Sequence, residues 1–355
     1  MKLRAAIIGC GGISRCHMAG YKALSDRVDV VACCDIDLPK AKRYAEEFGI
    51  PADAVYEDYN EMMAKETLDL VSVTTWNAAH CGATIAALKG GANVICEKPM
   101  AMNAIEAQAM LDTGKETGKV LQVGFVRRFG GDADTVLAFS KAGALGDIYY
   151  AKATYLRRSG FPGGWFGDLA YSGGGPLIDL GVHVMDLVRY LSGLPKPVQA
   201  FGVTYKNLGN NRASGGEQAW AASTAASKYK YDVEDFTSAM IRFDSGLTML
   251  MEASFNLNIA HDTGNIELMG TKGGLSFSPK FEIYTDMAGR FINIAPQGNT
   301  GFDFTRAFND EIRGFVDAAE GKAPCRAPAE DGVILMKMID AIYESARTGK
   351  AVDII

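Results

Sequence analysis

Three short stretches of this chain carry side chains whose types and spacing suit chemistry. The first is Gly9-Cys10-Gly11-Gly12-Ile13-Ser14, directly after an apolar run. It matches the dinucleotide pattern G-x-G-x-x-G except that Ser14 takes the last place. The first glycine allows a tight turn, the second lets a pyrophosphate approach the backbone, and the third position needs only a small residue. If a helix follows, its N-terminus adds N–H groups and a positive dipole end. Asp35 comes about 26 residues after Gly9, at the end of the next apolar run. A carboxylate there accepts ribose hydroxyls and repels a 2′-phosphate, which favours NAD over NADP. No arginine follows it, since the next residues are Ile36-Asp37-Leu38-Pro39-Lys40. Asp35 is also compatible with a plain turn cap.

The second stretch is Cys96-Glu97-Lys98-Pro99, which ends another apolar run. Ligands of open α/β sheets bind outside the carboxyl ends of strands, so Lys98 would point into that crevice. Pro99 disfavours a helical backbone at Lys98. Taken alone, Lys98 also fits a solvated strand end. The third stretch runs Gly173-Gly174-Gly175-Pro176-Leu177-Ile178-Asp179-Leu180-Gly181-Val182-His183. Pro176 suits a first helical turn. Asp179 and His183 are spaced i,i+4 and so share a helix face. A carboxylate beside an imidazole orients it and raises its basicity, although an isolated pair is equally an ordinary polar helix face. Tyr155, Arg157, Trp165 and Asp168 precede this segment. They offer aromatic ring faces and hydrogen-bonding groups, although Trp165 also fits an ordinary core and Arg157 a surface charge.

The elements that must position these residues follow from apolar periodicity. Strands are expected over 3–9, 28–35, 70–74, 93–96 and 120–123, with helices over 13–24, 39–48, 78–89 and 103–117 between them. Pro39 sits in a first turn, Asn103 at a cap, and Gly90-Gly91 at a helix end. Apolar strands alternating with helices indicate a doubly wound parallel sheet, the Rossmann pattern, over residues 1–126. Beyond it the pattern changes. Longer strands are expected over 147–158, 198–206, 233–243, 247–256 and 265–269, with tight turns at Asp244-Ser245-Gly246 and Thr271-Lys272-Gly273-Gly274. Helices over 176–191, 304–320 and 329–348 flank them. Residues 127–355 therefore read as an α/β domain with a large open, mostly antiparallel sheet, whose C-terminal helices can return to the first domain. Residues 207–231 are rich in Gly, Ala, Ser and Asn, with Trp220 near the middle. So long a connection suits either a covering insertion or a mobile loop.

Bulk properties narrow the function classes. The 355 residues are 48% hydrophobic and 22% charged, with a formal net charge of −6. That balance speaks against broad binding to nucleic acid or anionic membranes, which needs basic patches. No run approaches the ~20 apolar residues of a membrane span. The apolar start is cut short by Gly9 and reads as a first strand rather than a signal peptide, which implies a cytoplasmic protein. The seven cysteines include no Cys-x-x-Cys pair, so buried free thiols are expected rather than zinc or disulfides. Neither His17 nor His80 has acidic residues at metal-ligand spacing, and no metal is expected.

Several motifs occur together and in order: Gly9-x-Gly11-Gly12, Thr74-Thr75-Trp76-Asn77-x-x-His80, Glu97-Lys98-Pro99, Gly124-Phe125-x-Arg127-Arg128-Phe129, and the triple glycine with Asp179-x-x-x-His183. Jointly they resemble the Gfo/Idh/MocA oxidoreductases, relatives of glucose–fructose oxidoreductase and inositol dehydrogenase. The resemblance extends over the whole chain, including Ala341-Ile342-Tyr343-Glu344-Ser345-Ala346 near its end. Ser14 and Thr75-Trp76 depart from common family choices, and Trp76 would reshape the nicotinamide side.

The resemblance implies an NAD-dependent enzyme that oxidises or reduces a secondary hydroxyl of a sugar or glycoside ring, C3 first among the positions. It implies cofactor contacts from Gly9, Gly11, Gly12, Ile13, Ser14, Asp35, Thr74, Thr75, Trp76, Asn77, His80, Glu97, Lys98 and Arg127. It implies catalysis by Lys98, Asp179 and His183, with Tyr155, Arg157 and Trp165 beside them at the substrate. It also implies a homo-oligomer formed through the C-terminal sheet. The alternatives are an inositol dehydrogenase, an enzyme that retains NAD for hydride exchange between sugars or for oxidative glycoside cleavage, and a non-catalytic sugar sensor. The intact Lys98, Asp179 and His183 argue against the sensor.

Overall fold

The computed structural model describes residues 2–209 and 229–355. The segment 207–231 singled out above therefore lies outside the described residues, apart from its two ends. The chain groups into two compact units. One comprises Met1–Val126 and Phe304–Val333, the other Arg127–Asp303 and Ile334–Ile355.

In the first unit, six strands form one sheet: β1 (Leu3–Ile8), β2 (Val28–Cys34), β3 (Val55–Tyr56), β4 (Leu70–Val73), β5 (Asn93–Glu97) and β6 (Leu121–Gly124). Their order is β3-β2-β1-β4-β5-β6 and every pairing is parallel. The order reverses between β1 and β4, the switch point at which such sheets bind dinucleotides. Five helices connect the strands: α1 (Ser14–Lys22), α2 (Leu38–Phe48), α3 (Tyr59–Lys65), α4 (Asn77–Lys89) and α5 (Ala104–Thr117). Caps set their ends. Asp37 accepts the Lys40 N–H at the start of α2, and Asn103 accepts the Glu106 N–H at the start of α5. Ala5, Ala6, Ile7, Leu70, Val71, Val94 and Ile95 are fully buried, as strands covered on both faces must be.

Residues Phe304–Val333 belong to this unit rather than to the second, so residues 127–355 are not one continuous domain. The physical reason is the amphipathic helix α9 (Phe304–Ala319), which buries Phe308, Ile312 and Phe315. Ile312 lies directly over Gly20 of α1, where a side chain would collide with it. Arg27 pairs with both Asp317 and Glu320 at the far end of α9.

The second unit holds a nine-stranded sheet. Its strands are β7 (Ile148–Leu156), β8 (Pro197–Tyr205), β9 (Phe236–Phe243), β10 (Thr248–Ser254), β11 (Thr263–Gly270), β12 (Gly273–Ser276), β13 (Glu282–Met287), β14 (Arg290–Ile294) and β15 (Val352–Asp353). They lie in the order β14-β13-β12-β11-β7-β10-β9-β8-β15. Only β7 and β10 pair in parallel. The alternate residues Ala151, Ala153, Ala239, Ile241, Met249, Met251, Ile266 and Leu268 are buried. The opposite face carries the cross-strand row Phe201, Met240, Leu250, Lys152 and Glu267. Helices α6 (Gly131–Lys141), α7 (Leu169–Ser172), α8 (Val182–Leu191) and α10 (Ala329–Thr348) complete the elements described. The helix expected over 176–191 is interrupted. Leu177–Gly181 forms a π turn before α8 begins.

Candidate active site

The glycine loop between β1 and α1 is shaped by its neighbours. Gly9 has φ +93°, and a Cβ there would lie 2.7 Å from the Thr74 carbonyl carbon. Thr74 closes the crossing from the other side, donating its hydroxyl to the Gly9 carbonyl at 2.7 Å. Gly11 and Gly12 are different: a Cβ on either would meet nothing within 4 Å. Their backbone faces open space, the cradle a pyrophosphate needs, and no side chain caps the start of α1. Ser14 turns inward and donates to the Gly11 carbonyl at 2.6 Å.

Asp35 sits buried just past the tip of β2. It accepts the Cys10 N–H at 2.8 Å and the Asp37 N–H at 3.0 Å, which ties it to the glycine loop. Lys40 reaches the same carboxylate at 2.7 Å.

At the end of β5, Lys98 is half-buried and its peptide bond to Pro99 is cis. The Glu97 carboxylate turns into the interior, where it meets His17 Nε2 at 3.0 Å and accepts the Lys98 N–H at 3.1 Å. His17 in turn meets Ser72 Oγ at 3.1 Å, and the Tyr21 hydroxyl joins Ser72 at 2.9 Å. Glu311 from α9 is also fully buried here, and the three side chains bring ligand atoms within 4.8 Å of one another. His17 therefore has acidic neighbours after all. They come from remote parts of the chain, so local spacing could not reveal them. Burial, reinforced by the Glu97 carboxylate, holds Glu311 well above the ordinary carboxylate range.

His80 is likewise buried. Its two ring nitrogens lie 2.7 Å from the Pro99 carbonyl and 3.2 Å from the Thr75 carbonyl. Burial lowers its pKa, and a neutral ring donates to one of the two. Thr75 and Trp76 are half-buried and Asn77 is buried at the start of α4.

In the second unit, Asp179 lies buried in the π turn and His183 half-buried in the first turn of α8. A π turn is rare and usually inserted within a helix, often at a functional position. One turn beyond His183, Asp186 receives Arg128 at 2.9 and 2.6 Å in a fully buried bidentate pair. Arg128 also stacks over Tyr190 at 4.6 Å. Within this unit Arg127 pairs with Asp132 at 2.8 Å and lies 4.0 Å from the Phe302 ring centroid. Of the expected wall, Tyr155 and Trp165 are half-buried, and Trp165 stacks on Phe166 at 3.9 Å. Arg157 is buried; it donates to the Gly160 carbonyl and lies over the Tyr155 ring. Asp168 caps α7 through the Ala170 N–H and is a local structural group.

Two family models match this chain. The oxidoreductase family model, an NAD-binding Rossmann fold, covers residues 3–125, and the GFO/IDH/MocA C-terminal domain covers residues 134–276. The chain belongs to the GFO/IDH/MocA family. A D-glucoside 3-dehydrogenase of Escherichia coli is 34% identical over 99% of this chain and 97% of its own length. Among solved structures, an aldose–aldose oxidoreductase from Caulobacter crescentus superposes with a TM-score of 0.79 at 26% identity, over 99% of this chain and all of that one. A levoglucosan dehydrogenase in complex with NADH and levoglucosan gives 0.83 at 25% identity, over the full length of both.

Family membership makes the first unit an NAD-binding Rossmann domain and the chain an NAD-dependent oxidoreductase. The open cradle at Gly11 and Gly12 and the carboxylate of Asp35 fit that cofactor. Ser72, Glu311 and Asp186 support these GFO/IDH/MocA motifs from within and carry no signal in the sequence, where His17 and Arg128 stand without their partners. The deep burial of Glu311 yields a pH test. A carboxyl whose folded value is raised adds stability below its unfolded value and loses it as pH rises through the folded one. The loss is about 1.4 kcal/mol per pH unit of separation. Glu311→Gln therefore gains thermal stability over wild type as pH rises above the ordinary carboxylate range. A difference in melting temperature that stays constant from pH 4 to pH 8 would contradict a raised Glu311.

Proposed function

We propose that this protein is an NAD-dependent dehydrogenase that oxidises a secondary hydroxyl, at C3, of a pyranose or pyranoside ring. The observation that carries the reading is similarity to a D-glucoside 3-dehydrogenase along almost the whole chain, with Lys98, Asp179 and His183 all present. Bound NAD supplies the hydride acceptor. The protein's part is to take the hydroxyl proton and steady the developing charge on oxygen. His183 is the proposed general base, because an unperturbed imidazole titrates near working pH. Asp179 holds the imidazole or a neighbouring hydroxyl, and the Lys98 ammonium stabilises alkoxide character on the reacting oxygen. Tyr155 and Trp165 offer ring faces to the sugar, and Arg157 braces Tyr155. Gly11, Gly12, Ile13 and the start of α1 take the pyrophosphate. Asp35 takes the adenosine ribose, and Thr75, Trp76 and Asn77 flank the nicotinamide side.

We also place the protein in the cytoplasm as a homo-oligomer. All seven cysteines are free thiols, as a reducing compartment permits. Among the described residues no helix is long and apolar enough to cross a membrane. On the outer sheet face Phe201, Tyr205 and Met240 are exposed, an apolar area suited to a second copy of the chain. Light scattering that reports a single-chain mass would remove the oligomer.

Two outcomes test the catalytic reading. In a panel of myo-inositol, glucose, methyl glucosides and aryl glucosides with NAD, a pyranoside is the best substrate and NMR identifies a 3-keto product. Turnover of myo-inositol alone would overturn the pyranose assignment. With the active sugar, His183→Ala lowers kcat by about 10²–10⁴, the usual worth of a general base. For the cofactor, Asp35→Ser narrows the preference for NAD over NADP. A wild-type preference for NADP by about tenfold, worth about 1.4 kcal/mol, would contradict the role given to Asp35.

A further inference from the structure

The three glycines before Pro176 have separate causes, and together they lead to a residue that no motif marks. Gly173 ends α7 in the left-handed conformation, with φ +76°. A Cβ on Gly174 would lie 2.0 Å from the Tyr343 hydroxyl oxygen, and one on Gly175 would lie 2.3 Å from the Glu234 carbonyl oxygen. The turn is bare because Glu234 and Tyr343 press against it.

They press there to make hydrogen bonds. The first N–H groups of a helical segment need outside acceptors, and Pro176 provides no side-chain cap. The buried Glu234 carboxylate accepts the Gly175 N–H at 2.9 Å and the Leu177 N–H at 3.2 Å, one on each oxygen. Tyr343 of α10 donates its hydroxyl to the same carboxylate at 3.0 Å. The next residue, Asp235, binds a different stretch of backbone. It accepts the Leu208 N–H at 2.6 Å, the Gly209 N–H at 3.0 Å and the Tyr231 hydroxyl at 2.5 Å.

We propose that Glu234 is a positioning residue for the reaction: its carboxylate, steadied by Tyr343, fixes the start of the π turn and thereby the placement of Asp179 and His183. The inference rests on the reading of Asp179 and His183 as the groups that act on the sugar. A π turn has an i→i+5 register in place of the regular one, so the backbone entering it decides where residues two to eight positions later point. Two backbone N–H groups, each held on a different oxygen of one carboxyl group, define that entry, and a buried backbone donor left without its acceptor is costly. A glutamine has one acceptor oxygen, and its amide would turn N–H groups toward an N–H of the turn.

The test measures Glu234→Gln and Tyr343→Phe beside wild type and His183→Ala, with methyl β-D-glucopyranoside and NAD. Misplacement of reacting groups by about 1 Å can cost about a hundredfold in rate. Glu234→Gln therefore loses about ten- to a hundredfold in kcat/KM for the sugar, with the acid limb of its pH profile displaced and NADH affinity within about twofold of wild type. Tyr343→Phe moves the same quantities in the same direction by less. A residue that merely stabilised the fold would lower the melting temperature and leave the pH profile of the folded enzyme in place. Folded variants with wild-type kcat/KM and an unmoved pH profile would overturn the proposal. If Glu234→Gln does not fold, Tyr343→Phe decides by the same two readouts. The control separates the two readings. A fully active His183→Ala would bring down the assignment of the segment itself, whereas an inactive one beside unaffected Glu234→Gln and Tyr343→Phe brings down Glu234 alone.

Discussion

A carboxylate taken out of water needs donors around it, or it stays protonated. In this chain that constraint recurs beside the stretches given a chemical role. Asp35 accepts the N–H of Cys10, inside the glycine loop. Glu97 accepts the N–H of Lys98. Glu234 accepts the N–H groups of Gly175 and Leu177, where the segment of Asp179 and His183 begins. In each case the side chain faces inward and grips backbone, which leaves the adjoining functional residue a defined starting point. Backbone anchoring of this kind limits the rotational freedom that a catalytic side chain would otherwise have to lose on binding.

The two units use the device with different support. In the first, Glu97 belongs to a buried chain of contacts through His17, Ser72 and Tyr21, and the buried Glu311 of α9 lies beside it. The helix that presents the dinucleotide loop and the strand that presents Lys98 are therefore joined by polar contacts as well as by packing. In the second, the bidentate Arg128–Asp186 pair holds α8 one turn past His183, while Glu234 and Tyr343 hold the entry to the π turn. Buried charge of this type contributes little net stability and is costly to break, so its value lies in specifying one arrangement.

What the sequence made legible was local. The glycine loop, the Asp35 position, the Asn103 cap and the parallel strands all follow from short patterns, and the structure has them where the patterns put them. The first unit takes Met1–Val126 and also Phe304–Val333, whose return no local pattern announces. Elements defined by their neighbours were harder to see. The strands β12 to β14 are short and polar, and they form because β11 offers an edge. Helix α6 opens on Gly131 and Asp132 and has weak periodicity. The residues behind the candidate site were invisible for a related reason. Glu234, Glu311 and Asp186 look like surface acids until the fold brings Gly175, His17 or Arg128 against them. Glu97 and His80 stand in motifs, and their contacts to His17, Lys98, Pro99 and Thr75 appear only in the fold.

Transfer of a hydride from a ring carbon to NAD is the central claim, and isotope labelling follows that atom. Methyl β-D-glucopyranoside carrying deuterium at C3 is mixed with NAD and stoichiometric enzyme for a single turnover, and the nucleotide and sugar are then analysed by mass spectrometry and NMR. The account predicts deuterium on the reduced nicotinamide, a 3-keto glucoside without deuterium at C3, and slower reduction than with the unlabelled sugar. Deuterium retained at C3, with the nicotinamide reduced from another position or not at all, would contradict it.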